Sequence, residues 1–179
     1  MGRKIVVIGT TCSGKTRLAR TLAQQLDVPH VELDALHHGP NWTEAPRDEF
    51  RERVNDAIAG DGWVVDGSYQ GKLGELVLER ADLVVWLDLP MHTILVRLWV
   101  RTMHRIRNRV ELWNGNRETW RGAFLSRHSL FVWVLKTHRG RRRRYATSLA
   151  RFETVRLRSA AEAEVWLQRY LARHVKVGP

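Results

Sequence analysis

The chain has a single cysteine, Cys12, in 179 residues, so no internal disulfide can form. One cysteine suits a reducing compartment, and a cytoplasmic location is expected. No run of about 18 apolar residues occurs, so no membrane-spanning helix is expected. The first residues enter an apolar strand pattern directly, so no secretory leader is expected. Acidic residues are scarce in one region. Between Arg97 and Arg151 only Glu111 and Glu118 stand against fourteen arginines and Lys136. That segment alone carries thirteen excess positive charges, in a chain whose net charge is +11. The basicity belongs to one segment, which predicts a polyanion nearby: nucleotide phosphates, nucleic acid or both. No helix-turn-helix or other nucleic-acid reading motif is present, and no internal repeat is evident. The length suits one domain, residues 1–179, with an insertion.

Strand and helix patterns alternate along the chain. Lys4–Ile8 is a β-branched strand. Leu18, Leu22 and Leu26 recur every four residues and mark a helix. His30–Leu33 reads as a strand ending at Asp34, followed by a polar loop over 35–45 that holds His37, His38 and Trp42. Pro46 opens a helix lined by Phe50, Val54 and Ile58. Trp63-Val64-Val65 is a third strand, ending at Asp66-Gly67-Ser68, with a short helix near 73–80 after it. Leu83–Leu87 is a fourth strand. A long helix runs from Met91 to about Ile106, and residues 107–128 read as a mobile basic insertion. Ser129–Thr137 suits a helix, a separate helix follows the Arg141–Arg144 run, and Thr154–Leu157 is a fifth strand. Ser159 and Glu162 form a capping-box pair at the start of the last helix. This alternation predicts an α/β fold, a parallel sheet covered on both faces.

Between the first strand and helix stand Gly9, Thr10, Thr11, Cys12, Ser13, Gly14, Lys15 and Thr16. They complete the G-x-x-x-x-G-K-[ST] pattern in the strand–loop–helix context that its mechanism needs. Backbone N–H groups and the helix N-terminus would cradle the α- and β-phosphates of a nucleotide. Lys15 would reach the β/γ oxygens, and the Thr16 hydroxyl would bind Mg²⁺, so ATP and Mg²⁺ are the expected cofactors. Cys12 either has a pKa lowered by the helix N-terminus or is a small loop residue.

Asp66, at the end of an apolar strand, reads as the acid that organises Mg²⁺ or as a turn cap before Gly67. Asp88 has the same local pattern and reads as a cap before the Pro90 helix. Asp34 could accept and deprotonate a substrate hydroxyl, help order Mg²⁺, or close a turn. His37 and His38 suit substrate contact or a solvated loop. Arg97, Arg101, Arg105 and Arg109 are spaced by four. On a helix they form one stripe, which makes sense facing an anion or as a solvated basic face. The Arg139–Arg144 run could close over ATP, contact a phosphorylated substrate or grip a nucleic-acid backbone. Trp113, Trp120, Phe131 and Trp133 could stack bases or pack the insertion onto its neighbours.

Taken together these residues resemble the adenylate-kinase-like branch of P-loop kinases, and more closely the adenylate-kinase-related DNA topology modulation proteins of the FlaR type. The likeness rests on Gly9–Thr16, Leu33-Asp34-Ala35-Leu36 with Asn41-Trp42, Trp63-Val64-Val65-Asp66-Gly67-Ser68-Tyr69, Asp88-Leu89-Pro90, and Arg117-Glu118-Thr119 through the Arg141–Arg144 run. It implies a three-layer fold around a five-stranded parallel sheet of order 2-3-1-4-5. It also implies a substrate-binding region at about 35–62 and an arginine-rich lid at about 105–145. By the same resemblance Arg97 would stack on the base, Arg101 would be catalytic with Arg105 one turn on, and Arg158-Ser159 would meet the adenine. Adenylate kinases follow the Asp-Gly with Phe-Pro-Arg, whose arginine binds the acceptor monophosphate. Here Ser68-Tyr69-Gln70 stands instead. Asp34 is closer to the acid that holds the accepting hydroxyl in shikimate- and gluconate-type kinases. The expectation is an ATP-dependent phosphotransferase whose partner is a small-molecule acceptor: a nucleoside, a nucleotide or another hydroxylic metabolite. The alternative is an ATP-binding regulator that holds nucleic acid through its basic insertion. No oligomeric state is indicated.

Overall fold

A computed structural model describes residues 3–116 and 129–174. Five strands form one parallel sheet: β1 (Lys4–Gly9), β2 (His30–Glu32), β3 (Trp63–Asp66), β4 (Leu83–Leu87) and β5 (Thr154–Leu157). Their order is β2-β3-β1-β4-β5, as the resemblance implies. Among the described residues seven α-helices accompany the sheet: α1 (Lys15–Leu26), α2 (Leu33–His37), α3 (Arg47–Ala57), α4 (Gln70–Leu73), α5 (Met91–Arg107), α6 (Leu130–Ser148) and α7 (Ala160–His174).

The strands are apolar on both faces because both are packed. Ile5, Val7, Val64 and Val85 face Leu18, Leu22, Ile94, Leu98 and Leu167, on α1, α5 and α7. Val6, Ile8, Val65, Val84 and Trp86 face Phe50, Val54, Leu73 and Leu149 on the other side. Burying about 25 cal/mol per Å² of apolar surface on each face is what holds these layers together. Ser159 Oγ accepts from the Glu162 N–H at 3.1 Å, so the capping serine is in place at α7. Among the described residues no helix is long and apolar enough to cross a membrane.

Four expectations change. Strand β2 stops at Glu32, and Leu33 and Asp34 begin the short helix α2. Leu33 is fully buried, which turns the chain inward one residue early and leaves Asp34 at the same sheet edge. The helix expected near 73–80 is instead α4 at Gln70–Leu73, ended by Gly74 at φ +62°. Arg109 lies past the end of α5 with φ +47°, so it is not part of the arginine stripe. The fourth change is that α6 runs unbroken from Leu130 to Ser148, through the Arg141–Arg144 run and Gly140. Its buried residues explain this: Val134 packs in one core layer, while Tyr145 and Leu149, just beyond the helix end, pack in the other. Helix α6 therefore bridges both layers, and that anchoring outweighs the roughly 1 kcal/mol helix cost of Gly140. Arg117-Glu118-Thr119 and Trp120 lie outside the described residues.

Asp88 also has a different role. The start of α5 shows no side-chain cap, and Asp88 is buried after β4. Its Oδ2 accepts from Arg142 Nε of α6 at 2.9 Å and from Arg156 Nε of β5 at 2.9 Å. Arg156 also lies 4.4 Å over the Trp86 ring. This carboxylate ties α6 to the sheet. Asp88→Ala is expected to cost about 1–3 kcal/mol in urea denaturation, because it strands two arginines. Arg142→Ala should cost less, since Arg156 still holds the carboxylate. Equal costs would show that Arg156 does not share the load.

Candidate active site

The phosphate loop joins β1 to α1 at the C-terminal edge of the sheet, where open α/β sheets bind ligands. Gly9 has φ +155°, and a Cβ there would sit 2.7 Å from both the Leu87 carbonyl oxygen and Ser13 Oγ. Only glycine fits. Gly14, at φ +99°, turns the chain into α1. The Ser13 N–H donates to the Thr10 carbonyl at 3.2 Å, closing the loop. Lys15 Nζ reaches back to the Thr10 carbonyl at 3.4 Å. Burial pushes the Cys12 thiol pKa up, against the opposing pull of Arg101. That direction is opposite to the one a thiol activated by the helix N-terminus would show.

Asp66 ends β3 beside this loop. The Thr16 hydroxyl donates to Asp66 Oδ2. Asp66 is 5% exposed, and its Oδ1 is buried with no hydrogen-bond partner among the described residues. Burial raises its pKa, and the Lys15 charge partly offsets that rise. A hydroxyl and a carboxylate oxygen left open beside a phosphate loop fit Mg²⁺, which binds through one or two protein oxygens plus phosphates.

Helix α5 brings its arginines to the same loop. Arg97 Nη1 donates to the Ser13 carbonyl at 3.3 Å, and Arg101 Nη1 to Thr11 Oγ1 at 3.4 Å. Arg105 lines the space beyond them. One cleft of about 640 Å³ runs past Gly14, Lys15, Thr16, Arg97, Arg101 and Arg105. A second, of about 680 Å³, holds Gly9, Lys15, Asp66, Arg101, Arg105, Asp34 and Tyr69, with Trp42, Trp113 and Trp133 around its rim. Both clefts include Lys15, Asp34, Arg101 and Arg105, so the two meet there. Arg158 lines neither; its backbone N–H donates to Glu162 Oε2 at 2.7 Å.

Helix α6 roofs the second cleft. His138, buried, places Nδ1 3.4 Å from Thr10 Oγ1. Burial lowers its pKa, so the ring stays neutral against the loop. Tyr145 and Ser68 share a hydrogen bond at 2.9 Å, and Arg141 donates to the Tyr145 hydroxyl at 2.9 Å while lying 4.6 Å from the Trp133 ring centre. The 111–116 segment lies on the loop after α2. Asn116 Oδ1 accepts from the Trp42 N–H at 2.9 Å, and its Nδ2 donates to the Gly39 carbonyl at 3.0 Å. Trp113 packs on this loop, with His38 stacked on it at 6.3 Å, and it also lines both clefts. Sequence reasoning missed His138, Tyr145 and Asn116, none of which belongs to a local motif.

No protein-family model matches this chain, and comparison with curated proteins finds no match. Solved structures do match. A shikimate kinase from Bacteroides thetaiotaomicron is 16% identical, with a TM-score of 0.58 over 94% of this chain and 96% of that one. A gluconokinase from Sinorhizobium meliloti 1021 is 20% identical, with a TM-score of 0.53 over 96% and 95%. A deoxyadenosine kinase from M. mycoides is 10% identical, with a TM-score of 0.51 over 94% and 97%. The chain thus has the P-loop kinase fold.

The buried Asp66 generates a prediction with a definite sign. Its raised pKa means the folded chain binds this proton more tightly than the unfolded chain. Stability therefore falls as pH rises from the ordinary carboxylate range through the folded value. Asp66→Asn should flatten that dependence and raise the Tm in metal-free buffer at about pH 7 by roughly 2–4 °C. The same variant should bind Mg²⁺-nucleotide about 10–100-fold more weakly. A lower metal-free Tm would mean that the carboxylate is a net structural support.

Proposed function

We propose that this chain is an ATP-dependent phosphotransferase that moves the γ-phosphoryl group to a hydroxyl of a small molecule. The observation that carries the reading is the hydrogen bond from the half-buried Thr16 to the buried Asp66, beside Lys15, where the two clefts meet at Asp34. Thr16 and Asp66 would hold Mg²⁺, which neutralises charge across the β- and γ-phosphates when bound. Lys15, Arg101 and Arg105 supply positive charge where the transferred group gathers negative charge. Arg97 lies along the outer cleft, where the base of the nucleotide would stack. Asp34 orients the acceptor hydroxyl and takes its proton. Phosphoryl transfer is mostly positioning and charge neutralisation, so this set suffices without a covalent intermediate.

The region at about 35–62 is the acceptor-binding part, and the segment at about 105–145 is the lid that excludes water. Asn116 and Trp113 against residues 38–42 support that closure. The motif combination also supports kinship with the adenylate-kinase-related DNA topology modulation proteins. The acceptor class remains a nucleoside, a nucleotide or another hydroxylic metabolite. The enzyme reading is preferred over a nucleic-acid-binding regulator because three of the α6 arginines, although largely exposed, already have partners in the fold or a place at the cleft. Arg142 pairs with Asp88, while Arg141 and Arg144 line the second cleft.

The test is ADP release from Mg²⁺-ATP across a panel of nucleosides, nucleotides and hydroxylated metabolites. An acceptor-dependent rate is expected, lowered roughly 10²–10³-fold by Lys15→Ala. Nucleotide binding with no acceptor-stimulated release, joined to tight and steeply salt-dependent DNA binding, would favour the regulator.

A further inference from the structure

The residues after β3 contain a device that the phosphotransferase reading does not use. Tyr69 stands three residues beyond Asp66, with φ +40°, in the left-handed region that a bulky residue seldom adopts. That turn directs the ring back under α2. Its edge packs on His37 at 4.7 Å and on Phe50 at 5.2 Å, and Phe50 is fully buried in the core. The phenol hydroxyl donates to Asp34 Oδ1 at 2.5 Å. His38 Nε2 lies 3.4 Å from the same phenol oxygen. Among the described residues Asp34 Oδ2 makes no hydrogen bond, and Asp34 lines both clefts.

From this geometry we infer that Tyr69 is a positioning residue. It fixes the Asp34 carboxylate by one oxygen so that the other is presented to a single acceptor hydroxyl. The inference rests on the phosphotransferase reading and names how that site chooses its reacting oxygen. Asp34 sits at the first turn of a five-residue helix, a short element with little rigidity of its own. A carboxylate there gains a defined rotamer only from a partner anchored elsewhere, and Tyr69 is anchored in the core. Burial, followed by the Asp34 charge, pushes the phenol pKa up, so the hydroxyl stays protonated and remains a donor. With one carboxylate oxygen already accepting from Tyr69, a two-oxygen grip on a vicinal diol is disfavoured. The site favours one hydroxyl, aimed toward Lys15 and the loop.

Tyr69→Phe keeps the ring and its packing and removes only the donor. Two measurements test the inference. The first is structural and needs no turnover. In protein labelled with [¹³Cζ]tyrosine, the Tyr69 resonance, assigned by its loss in Tyr69→Phe, should shift in Asp34→Asn, with the other two tyrosines unmoved. An unmoved Tyr69 resonance overturns the inference even if the protein is an active kinase. The second is a double-mutant cycle on ADP release, with Mg²⁺-ATP and the most stimulating compound of the acceptor panel. Tyr69→Phe alone should lower kcat roughly 10–100-fold, with nucleotide affinity and Tm unchanged. In the Asp34→Asn background it should change kcat less than about 2-fold, because the two act as one unit. Multiplicative losses would mean that Tyr69 acts independently of Asp34, and would overturn the inference. If no panel compound stimulates release in the unsubstituted protein, the phosphotransferase reading fails, and the resonance alone decides whether Tyr69 holds Asp34.

Discussion

The parallel register between β1 and β3 is the constraint from which the site follows. Val7 lies opposite Asp66, and the Gly67 N–H donates to the Val7 carbonyl at 3.0 Å. Two residues past Val7, Gly9 begins the phosphate loop, so the register sets Asp66 beside Thr16. A slip of one residue would turn Asp66 to the opposite face of the sheet and end the contact. The hydrophobic layers defend that register. Val64 packs in one layer and Val65 in the other, so a slipped β3 would misplace both. Burying the Asp66 charge costs stability. Such a group, kept beside an open oxygen position, makes this edge of the sheet a candidate functional site.

Helix α6 shows how one element can serve stability and the site together. It reaches both core layers through Val134 and Tyr145, meets the phosphate loop through His138 and is tied to the sheet through Asp88. The dense basic run, although mostly exposed, therefore also makes contacts within the fold. Arg142 supports the helix, while Arg141 is held by Tyr145 and Trp133 at the cleft wall. Four consecutive arginines repel one another in an isolated helix. Here a buried carboxylate and two aromatic rings offset part of that cost.

Much of the sheet was legible because buried parallel strands leave dense β-branched runs. Polar–apolar alternation is unnecessary when both faces are packed, and Ile5-Val6-Val7-Ile8 is one such continuous run. The phosphate loop was legible because Gly9, Gly14, Lys15 and Thr16 fall within eight contiguous residues of the sequence. Asp34 and Asp66 could be placed at the sheet edge because each stands at the end of a strand pattern in the sequence. The pairings were not legible. Asp88 resembles a helix cap locally, and its partners stand 54 and 68 residues away. The Tyr69–Asp34 bond depends on a left-handed turn at a tyrosine, which no propensity suggests. Arg109 keeps the four-residue spacing, yet α5 ends before it. Helix α6 passes through Gly140 because tertiary anchors override local preference.

The central claim is transfer of a phosphoryl group to a hydroxyl, and ³¹P NMR of the products reads it directly. Protein, Mg²⁺-ATP and the acceptor panel should give ADP together with a new phosphomonoester resonance, absent with Lys15→Ala. Inorganic phosphate alone would contradict the account by making the protein a hydrolase. A new phosphoanhydride would contradict it by making the acceptor a phosphate, leaving Asp34 without the role assigned to it.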